Sequence, residues 1–356
     1  MPHRDARSHT RRAVALTVLA VLGLTTRPAL AEPSGPSTSH EPSVDIFGNI
    51  SEKVTHRSGP HSQATRKFAP PMGSSAPNAN PISYHRGPVM TSVSKVVVIW
   101  YGNWAQSNGT DNAAGQQIIL DALFGLSAPP KAGMTNYAGV TTAAGSNLGQ
   151  WTESNGMAVT QLSSPTIVQH SQPTSATYGG YTLTDATVQS LVASYAGSAP
   201  DPNAIYLVLS SSDIGESSGF LTSYCGWHTY SNVGRTTIKY GFIGNPNRSL
   251  GSCNVNTAGV SPNDNPAVDA MISVIAHELE ETVSDPLLNA WYNRQDYENG
   301  DMCAWTFGNA QSQLPNGAYY NVTLPTASGG SRHYLVQRAL ARGNSKCYVN
   351  ATGAIQ

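Results

Sequence analysis

The sequence predicts an α/β domain, with α+β as the alternative, in which a central mixed sheet supports a polar-faced helix. Short apolar, β-branched runs alternate with amphipathic stretches from about residue 84 onward. The last amphipathic stretch has an apolar side and a row of acids. Residues 32–83, in contrast, show no sustained apolar period. We therefore predict one domain at residues 84–350.

The N-terminus has the parts of a secretory signal peptide. Arginines within residues 1–12 precede the run "AVALTVLAVLGL", which is too short to span a bilayer, and "ALA" at 29–31 offers small residues for cleavage. We predict cleavage after Ala31, and the pair Arg11–Arg12 leaves twin-arginine export open. The mature protein is expected outside the cytoplasm, secreted or held in the periplasm or cell wall, without stable membrane insertion.

Residues 32–83 follow, and they are rich in Pro, Ser, Gly and His, as in "EPSGPSTSHEPS". Such a composition cannot bury enough apolar surface to offset the entropy lost on ordering. We predict a disordered tail or a pro-segment here, with ordered structure beginning near Tyr84.

Three apolar runs predict the strands of the sheet. "SKVVVIWYG" at 94–102 and "AIYLVLSSSDI" at 204–214 are continuous and β-branched, which is typical of strands covered on both faces. "TTIKYGFIG" at 236–244 alternates in part. The three runs therefore predict the buried centre of the sheet.

Two amphipathic stretches between these strands predict helices. In the second, "YTLTDATVQSLVASYAG", either Thr184 or Asp185 can cap the N-terminus, and Gly197 lies near the predicted end. The first stretch places four apolar residues on one helical stripe: Ile118, Ile119, Leu123 and Leu126.

A third helix is predicted in "MISVIAHELEETVSDPLLNAWY", residues 271–292. Asn265 can cap it and Pro266 suits its first turn. Pro286 disfavours helical geometry at Asp285, so the helix is expected to end there. Its core-facing side comprises Met271, Ile272, Ile275, Leu279 and Val283.

Charge and cysteine usage narrow the function classes. Only 12% of the residues are charged and the formal net charge is -1, so neither nucleic acid nor an anionic membrane is an expected partner. Four cysteines in an exported chain favour two disulfides over buried free thiols. Of the three pairings, we favour Cys225–Cys253 and Cys303–Cys347, because each encloses a modest loop.

The third helix carries the strongest chemical signal. His277 and Glu281 lie one turn apart, so an imidazole and a carboxylate sit side by side. A zinc-binding His-Glu-x-x-His helix has this spacing, with histidine where this chain has Glu281, and its intervening Glu is the general base. The pattern predicts a zincin-like helix with Glu278 in the base position.

A hydrolytic zinc site needs a third protein ligand. Glu298 and Asp301 follow in "YENGDMCAW", about twenty residues later. Asp285 continues the 277, 281 series by another turn. We predict His277, Glu281 and Glu298 as ligands, with Asp301 or Asp285 as a substitute ligand or as a residue that orients a ligand.

The acids are concentrated around this helix. Of 21 acids in the chain, seven lie at 278–301, and a bound cation would relieve their repulsion. One divalent metal is expected, zinc first, with calcium, manganese or magnesium as harder alternatives. The alternative is a solvated acidic helix, against which the apolar lead "MISVIA" argues.

A second catalytic candidate is "GESSG" at 215–219, which matches the nucleophile elbow of serine hydrolases with Ser217 as nucleophile. His333 could serve as its base, with Asp285 or Asp301 as partner. An elbow needs a strand before the serine and a helix after it, and here the predicted strand ends earlier and no helical stripe follows. This remains the remote alternative.

Other histidines and aromatic residues offer weaker signals. His228 and His85 could approach the metal site, but a lone histidine beside tryptophan and cysteine favours a packed residue. Aromatic residues could form a sugar-stacking platform, although core packing is the simpler interpretation. They are Trp100, Tyr101, Trp104, Trp291, Tyr292 and Trp305.

Seven segments, in this order, resemble the EXORDIUM family, also called the phosphate-induced protein family. They are "YHRGPVMTSVSKVVVIWYGNW", "AIYLVLSSSDI", "YCGWH", "KYGFIGNPNRSLGSC", "SVIAHELEETVSDPLLNAWY", "DMCAW" and "HYLVQRALARGNSKC". The resemblance covers roughly residues 84–348. It implies an exported, largely single-domain protein with paired cysteines. The family's role in plant wall growth is not transferred, because the signal peptide here looks bacterial.

Within the family the helix commonly reads His-Glu-Leu, then Glu one turn on, then an Asn-Pro or Asp-Pro stop. His277, Glu278, Glu281 and Asp285 match this pattern, whereas "GESSG" does not look like a family feature. The loop after Phe242 has fewer cysteines than the plant pattern.

Two functions follow from these observations. The first is a metal-dependent hydrolase of peptide or related amide bonds, in which metal-activated water attacks with Glu278 as base. The second is a non-catalytic protein that binds a cell-wall component or a surface, with a structural metal or none.

Overall fold

The computed structural model describes residues 82–90, 93, 95–127, 168–172, 181–255, 259–309, 311–341 and 346–348. The predicted signal peptide and residues 32–81 lie outside the described residues, so both interpretations stay predictions. Described structure begins at Ile82, two residues before the predicted start. No helix in these ranges is long and apolar enough to cross a bilayer.

The elements alternate along the chain. The helices are α1 (Ala113–Ser127), α2 (Asp185–Ala196), α3 (Leu250–Cys253) and α4 (Pro266–Ser284). The strands are β1 (Ser83–Tyr84), β2 (Lys95–Tyr101), β3 (Val168–Gln172), β4 (Thr182–Leu183), β5 (Ala204–Ser210), β6 (Gly215–Glu216), β7 (Gly226–Val233), β8 (Thr236–Gly244), β9 (Trp291–Tyr292), β10 (Ser312–Gln313), β11 (Tyr319–Tyr320), β12 (Val322–Pro325), β13 (Ser331–Tyr334), β14 (Ala339–Ala341) and β15 (Lys346–Tyr348).

Five described strands form the central mixed sheet in the order β3-β2-β5-β8-β7. The first four run parallel, and β7 pairs antiparallel with β8. Every residue of β5 is buried, as are the last six of β2, which explains their continuous apolar runs. The α/β prediction is confirmed.

The strand boundaries show one error. The second predicted strand ran to Ile214, but β5 ends at Ser210, because the chain then turns and the Ser211 amide donates to the Tyr101 carbonyl. The structure also contains β7, for which the sequence predicted no strand. Several residues of β7 are polar, and some of these are buried, so its sequence contains no continuous apolar run.

The predicted helix signals hold. The four apolar residues predicted on the α1 stripe are all buried. Thr184, rather than Asp185, is the N-cap of α2, where its side chain accepts from the Thr187 amide, and Gly197 ends the helix with φ 64°. Asn265 caps α4 by accepting from the Val268 amide.

The helix α4 lies in the core and packs against β7, β8 and α1. Every residue from Ala267 to Ser284 is buried. A helix buried all round is normally apolar, so its charged residues at 277–281 need partners within the core. The position of α4 therefore places the chemical signal of the sequence inside the fold.

Both predicted disulfides are present: Cys225–Cys253 and Cys303–Cys347. The first ties the start of β7 to the end of α3. The second joins a short 3₁₀ helix, Asp301–Cys303, to β15 and lies in a smaller buried cluster with Trp291 and Met302. Each disulfide therefore anchors a segment that contributes to the site described below.

Candidate metal centre

The first part of the site lies on α4. His277 Nε2 is 3.2 Å from Glu281 Oε2, one helical turn away, and both side chains are buried. This is the side-by-side placement that their spacing predicts. Glu278 is also fully buried, and a Cβ added to Gly226 of β7 would lie 3.2 Å from its Oε1. Glu278 therefore faces β7.

The second part is a turn that covers this face of α4. The Asp301 amide donates to Glu281 Oε1 at 3.0 Å, and the Glu298 amide donates to Asp301 Oδ2 at 3.0 Å. Asp301 Oδ1 lies 3.6 Å from His277 Nε2. The turn approaches closely because residue 300 is glycine: a Cβ there would lie 2.7 Å from His277 Nδ1.

The third part is His228 on β7, which has no exposed side-chain surface. Its Nε2 lies 3.2 Å from Glu298 Oε2 and 3.7 Å from Glu281 Oε2. His228 is packed and hydrogen-bonded, as the sequence predicted, and it also lies among the candidate ligands. The one signal in the sequence was its place in "YCGWH", a segment shared with the resembled family.

The ligand atoms fall into two overlapping groups. His277, Glu281 and Asp301 form one, and His228, Glu278 and Glu281 form the other; in each, the ligand atoms lie within 4.8 Å of one another. Ligand atoms about 2.1 Å from one tetrahedral ion are about 3.4 Å apart. The 3.2 and 3.6 Å contacts of His277 Nε2 are close to that separation.

Gln337 contacts the outer nitrogen of His277. Its Nε2 lies 2.6 Å from His277 Nδ1 and donates to the Gly300 carbonyl at 3.0 Å. Which of these two atoms donates depends on the tautomer of His277. A metal held at Nε2 would leave the hydrogen of the ring on Nδ1, where the side-chain oxygen of Gln337 would accept it after the amide turns over.

Burial and neighbouring charges shift the pKa values of this cluster. Burial lowers the pKa of His277, opposed by Asp301, Glu298 and the hydrogen bond from Gln337. Burial and then the charge of Glu281 raise the pKa of Asp301 well above its usual value. The charges acting on Asp301 come from Glu281, His277 and Glu298, and none is a lysine or arginine. Protons or a cation must balance these carboxylates.

The predicted ligands take different places from those expected. Glu298 lies beside His228, and Asp301 is the acid that completes the group with His277 and Glu281. Asp285 belongs to neither group. Its Oδ1 accepts from the amides of Asn289 and Ala290, so it closes the turn after α4 instead.

The structure does not support the serine-hydrolase alternative. Ser217 is exposed and follows the two-residue strand β6, and the next element along the chain is the strand β7 rather than a helix. His333 lies 2.9 Å from Thr323 Oγ1 and packs against Tyr320. The proposed partner Asp301 belongs to the metal cluster. The strand–serine–helix arrangement is therefore missing.

The remaining candidates lie apart from the cluster. His85 is exposed and stacks on Tyr292, with ring centroids 3.7 Å apart. The preferred interpretation of the aromatic residues as core is confirmed for four of the six, which are buried: Trp100, Tyr101, Trp104 and Trp291.

Comparison with known proteins places the chain in a family. Residues 82–349 match the family model described as the phosphate-induced protein 1 conserved region. The chain belongs to this family. This match confirms the predicted family membership, and the matched region includes the five residues of the two candidate groups as well as Glu298.

Three proteins of Arabidopsis thaliana are similar to this family member. Protein EXORDIUM-like 3 is 30% identical over 311 residues, which cover 77% of this chain and 83% of that protein. Protein EXORDIUM-like 5 is 28% identical, over 72% of this chain and 74% of its own length. Protein EXORDIUM is 26% identical, over 70% and 80%. No solved structure matches.

Proposed function

We propose that the protein is an exported member of the phosphate-induced protein family in which the histidine–carboxylate cluster holds a divalent cation that stabilises the fold. One observation carries this proposal: six side chains that can ligate a metal converge in the core from three separate elements, α4, β7 and the turn at 298–301. They are His228, His277, Glu278, Glu281, Glu298 and Asp301.

Charge supports a cation at this place. Glu281 and Glu298 lie close enough to Asp301 to raise the pKa of its carboxyl group. Buried carboxylates that face one another are unfavourable unless protons or cations neutralise them. A cation that bonds to several of them would also hold α4, β7 and the turn together.

Burial supports a structural role. A catalytic metal keeps one coordination position open to substrate, whereas a structural metal is enclosed by protein ligands. The side chains of His228 and His277 have no exposed surface, and that of Glu281 is 1% exposed. The two imidazoles favour zinc, and the surrounding carboxylates also suit manganese, whereas calcium prefers oxygen ligands alone.

The two disulfides support export, because such bonds persist in oxidising compartments outside the cytoplasm. The predicted signal peptide at 1–31 agrees with this location. Each disulfide lies close in sequence to a member of the cluster, since Cys225 precedes His228 by three positions and Cys303 follows Asp301 by two. Oxidation and metal binding would therefore stabilise the same segments.

A second candidate function is metal-dependent hydrolysis of peptide or related amide bonds. The observation in its favour is Glu278, which follows His277 directly and joins the cluster through His228 and Glu281. Incubating the metal-loaded protein with a diverse peptide library tests this function. Cleavage that disappears in Glu278→Gln would establish hydrolysis. If the metal-loaded wild type cleaves no peptide, hydrolysis is excluded and the structural role is the one that remains.

Metal content tests the main proposal. The mature chain, exported so that its disulfides form, is expected to contain zinc or manganese in stoichiometric amount by elemental analysis. His277→Ala should lower that content. His85→Ala is the matched control, because His85 is exposed and belongs to neither ligand group, and it should retain the wild-type content. A metal-free, folded wild type after incubation with both metals would contradict the proposal.

A further inference from the structure

The arrangement of the cluster suggests more than one ion. The two histidines fall into different ligand groups, and Glu281 is the residue that both groups share. The same oxygen, Glu281 Oε2, lies 3.2 Å from His277 Nε2 and 3.7 Å from His228 Nε2. A carboxylate between two imidazoles is placed to bridge two ions.

Unpartnered atoms mark the first group. His277 Nε2 and Asp301 Oδ1 are both buried, and neither has a hydrogen-bond partner among the residues that the structure describes. The two atoms are 3.6 Å apart and belong to the same ligand group, with Glu281 as its third member. Buried polar atoms normally find partners, so this pair is directed at something that bonds to both.

Charge balance favours two ions over one. Four carboxylates, from Glu278, Glu281, Glu298 and Asp301, surround two imidazoles that bind metals in the neutral form. Two divalent ions balance all four carboxylates, whereas one ion leaves two negative charges that protons would have to neutralise. An uncompensated buried charge is strongly unfavourable. Four carboxylates with two histidines is also the ligand set of dinuclear carboxylate sites in helical bundles.

We propose that the cluster binds two divalent transition-metal ions bridged by Glu281. The first ion lies among His277, Glu281 and Asp301. The second lies among His228, Glu278 and Glu281, with Glu298 beside His228 as its further ligand. This inference rests on the proposed function, since both require metal in the same cluster, but it adds the number of ions and the bridge.

Manganese(II) is the probe that tests this arrangement. The metal-free, disulfide-bonded mature chain is titrated with manganese(II), and bound ions are counted by elemental analysis after removal of excess. Two ions per chain are expected, with an electron paramagnetic resonance spectrum of an exchange-coupled pair, since bridged ions lie about 3.5–4 Å apart.

The outcomes separate this inference from the proposed function. No bound manganese or zinc would overturn both. One ion per chain would leave the proposed function standing and overturn the pair. Two ions whose spectrum shows no coupling would overturn the bridge.

Single substitutions assign the ions to the groups. His277→Ala and His228→Ala are each expected to retain one uncoupled manganese(II), and Glu281→Gln should abolish the coupled spectrum. Glu280→Gln is the matched control: Glu280 is buried on the same helix next to Glu281 but belongs to neither group, so this variant should keep both ions. Loss of both ions from either folded histidine variant would indicate one shared site and overturn the pair.

Discussion

Two regions of the molecule bury carboxylates in different ways. Asp111 follows β2 and is fully buried. Its Oδ1 accepts from Asn245 Nδ2 at 2.8 Å, and its Oδ2 accepts from Asn108 Nδ2 at 2.7 Å and Gln106 Nε2 at 3.1 Å. The amide and hydroxyl of Ser212 also donate to it. Neutral N–H and O–H donors surround this carboxylate.

The histidine–carboxylate cluster has the opposite surroundings. Asp301 accepts one backbone amide at Oδ2, while its Oδ1 faces His277 and its charged neighbours include Glu281 and Glu298. The Asp111 network is complete with the atoms of the protein, because donors compensate the buried carboxylate. The cluster lacks such compensation from protein donors, because its carboxylates face other carboxylates. This difference is the reason for proposing a cation in the cluster and none beside Asp111.

Metal removal is expected to give the largest effect. A ligand present at about 1,000 times its Kd adds about 4 kcal/mol of stability. A strong chelator should therefore lower the free energy of unfolding of the wild type by about that amount, measured by urea denaturation. Glu281→Gln should be insensitive to the chelator. Equal stability of the wild type with and without chelator would remove the contrast between the two regions.

Asp111→Asn tests the other side of the comparison. The substitution replaces one of the two acceptor oxygens of Asp111 with an NH2 group, which can only donate. The buried donors that face this atom therefore lose their acceptor. The expected cost is roughly 3 kcal/mol, because each unsatisfied buried polar group costs about 1–3 kcal/mol. The same loss should appear with and without chelator, and metal content should stay at the wild-type value. A loss of metal in this variant would show that the two regions are not independent.

Gly300→Ala should weaken metal binding while the fold survives. The new Cβ would lie 2.7 Å from His277 Nδ1 and 2.8 Å from Glu281 Oε1, so both ligands must shift. We expect metal affinity to fall about tenfold, or about 1.4 kcal/mol, because displaced ligands lose their geometry. Competition with a fluorescent chelator measures it.

The matched control for Gly300→Ala is Gly251→Ala, because Gly251 is exposed and a Cβ there would have nothing within 4 Å. Its affinity should equal that of the wild type. Unchanged affinity in Gly300→Ala would place the metal away from the turn.

Ser212→Ala is expected to give the smallest effect. It removes one hydroxyl donor to Asp111, and the Ser212 amide and Asn245 remain. A loss of about 1 kcal/mol follows from the net value of one hydrogen bond. Thermal unfolding in chelator and in excess zinc should show the same decrease in both solutions.

The features that the sequence predicted correctly depend mostly on residues that are close together in the chain. The buried strands and α4 follow from apolar runs and caps, and the pair His277–Glu281 follows from helical geometry, so their contact needed no knowledge of the fold. The disulfide pairing was also predicted correctly.

His228 could not be found in this way, because it reaches the site through β7 and contacts Glu298, 70 positions later. For the same reason, the sequence could not predict which acid belongs to which ligand group. Both depend on how the turn at 298–301 and β7 pack onto α4, and no periodicity encodes that packing.

Anomalous diffraction tests the central claim most directly. Crystals of the mature protein, grown after saturation with zinc, are measured above and below the zinc absorption edge. The account predicts anomalous peaks between Glu281 and each of His277 and His228. Zinc-saturated crystals in which this cluster is well ordered and carries no anomalous peak would contradict it.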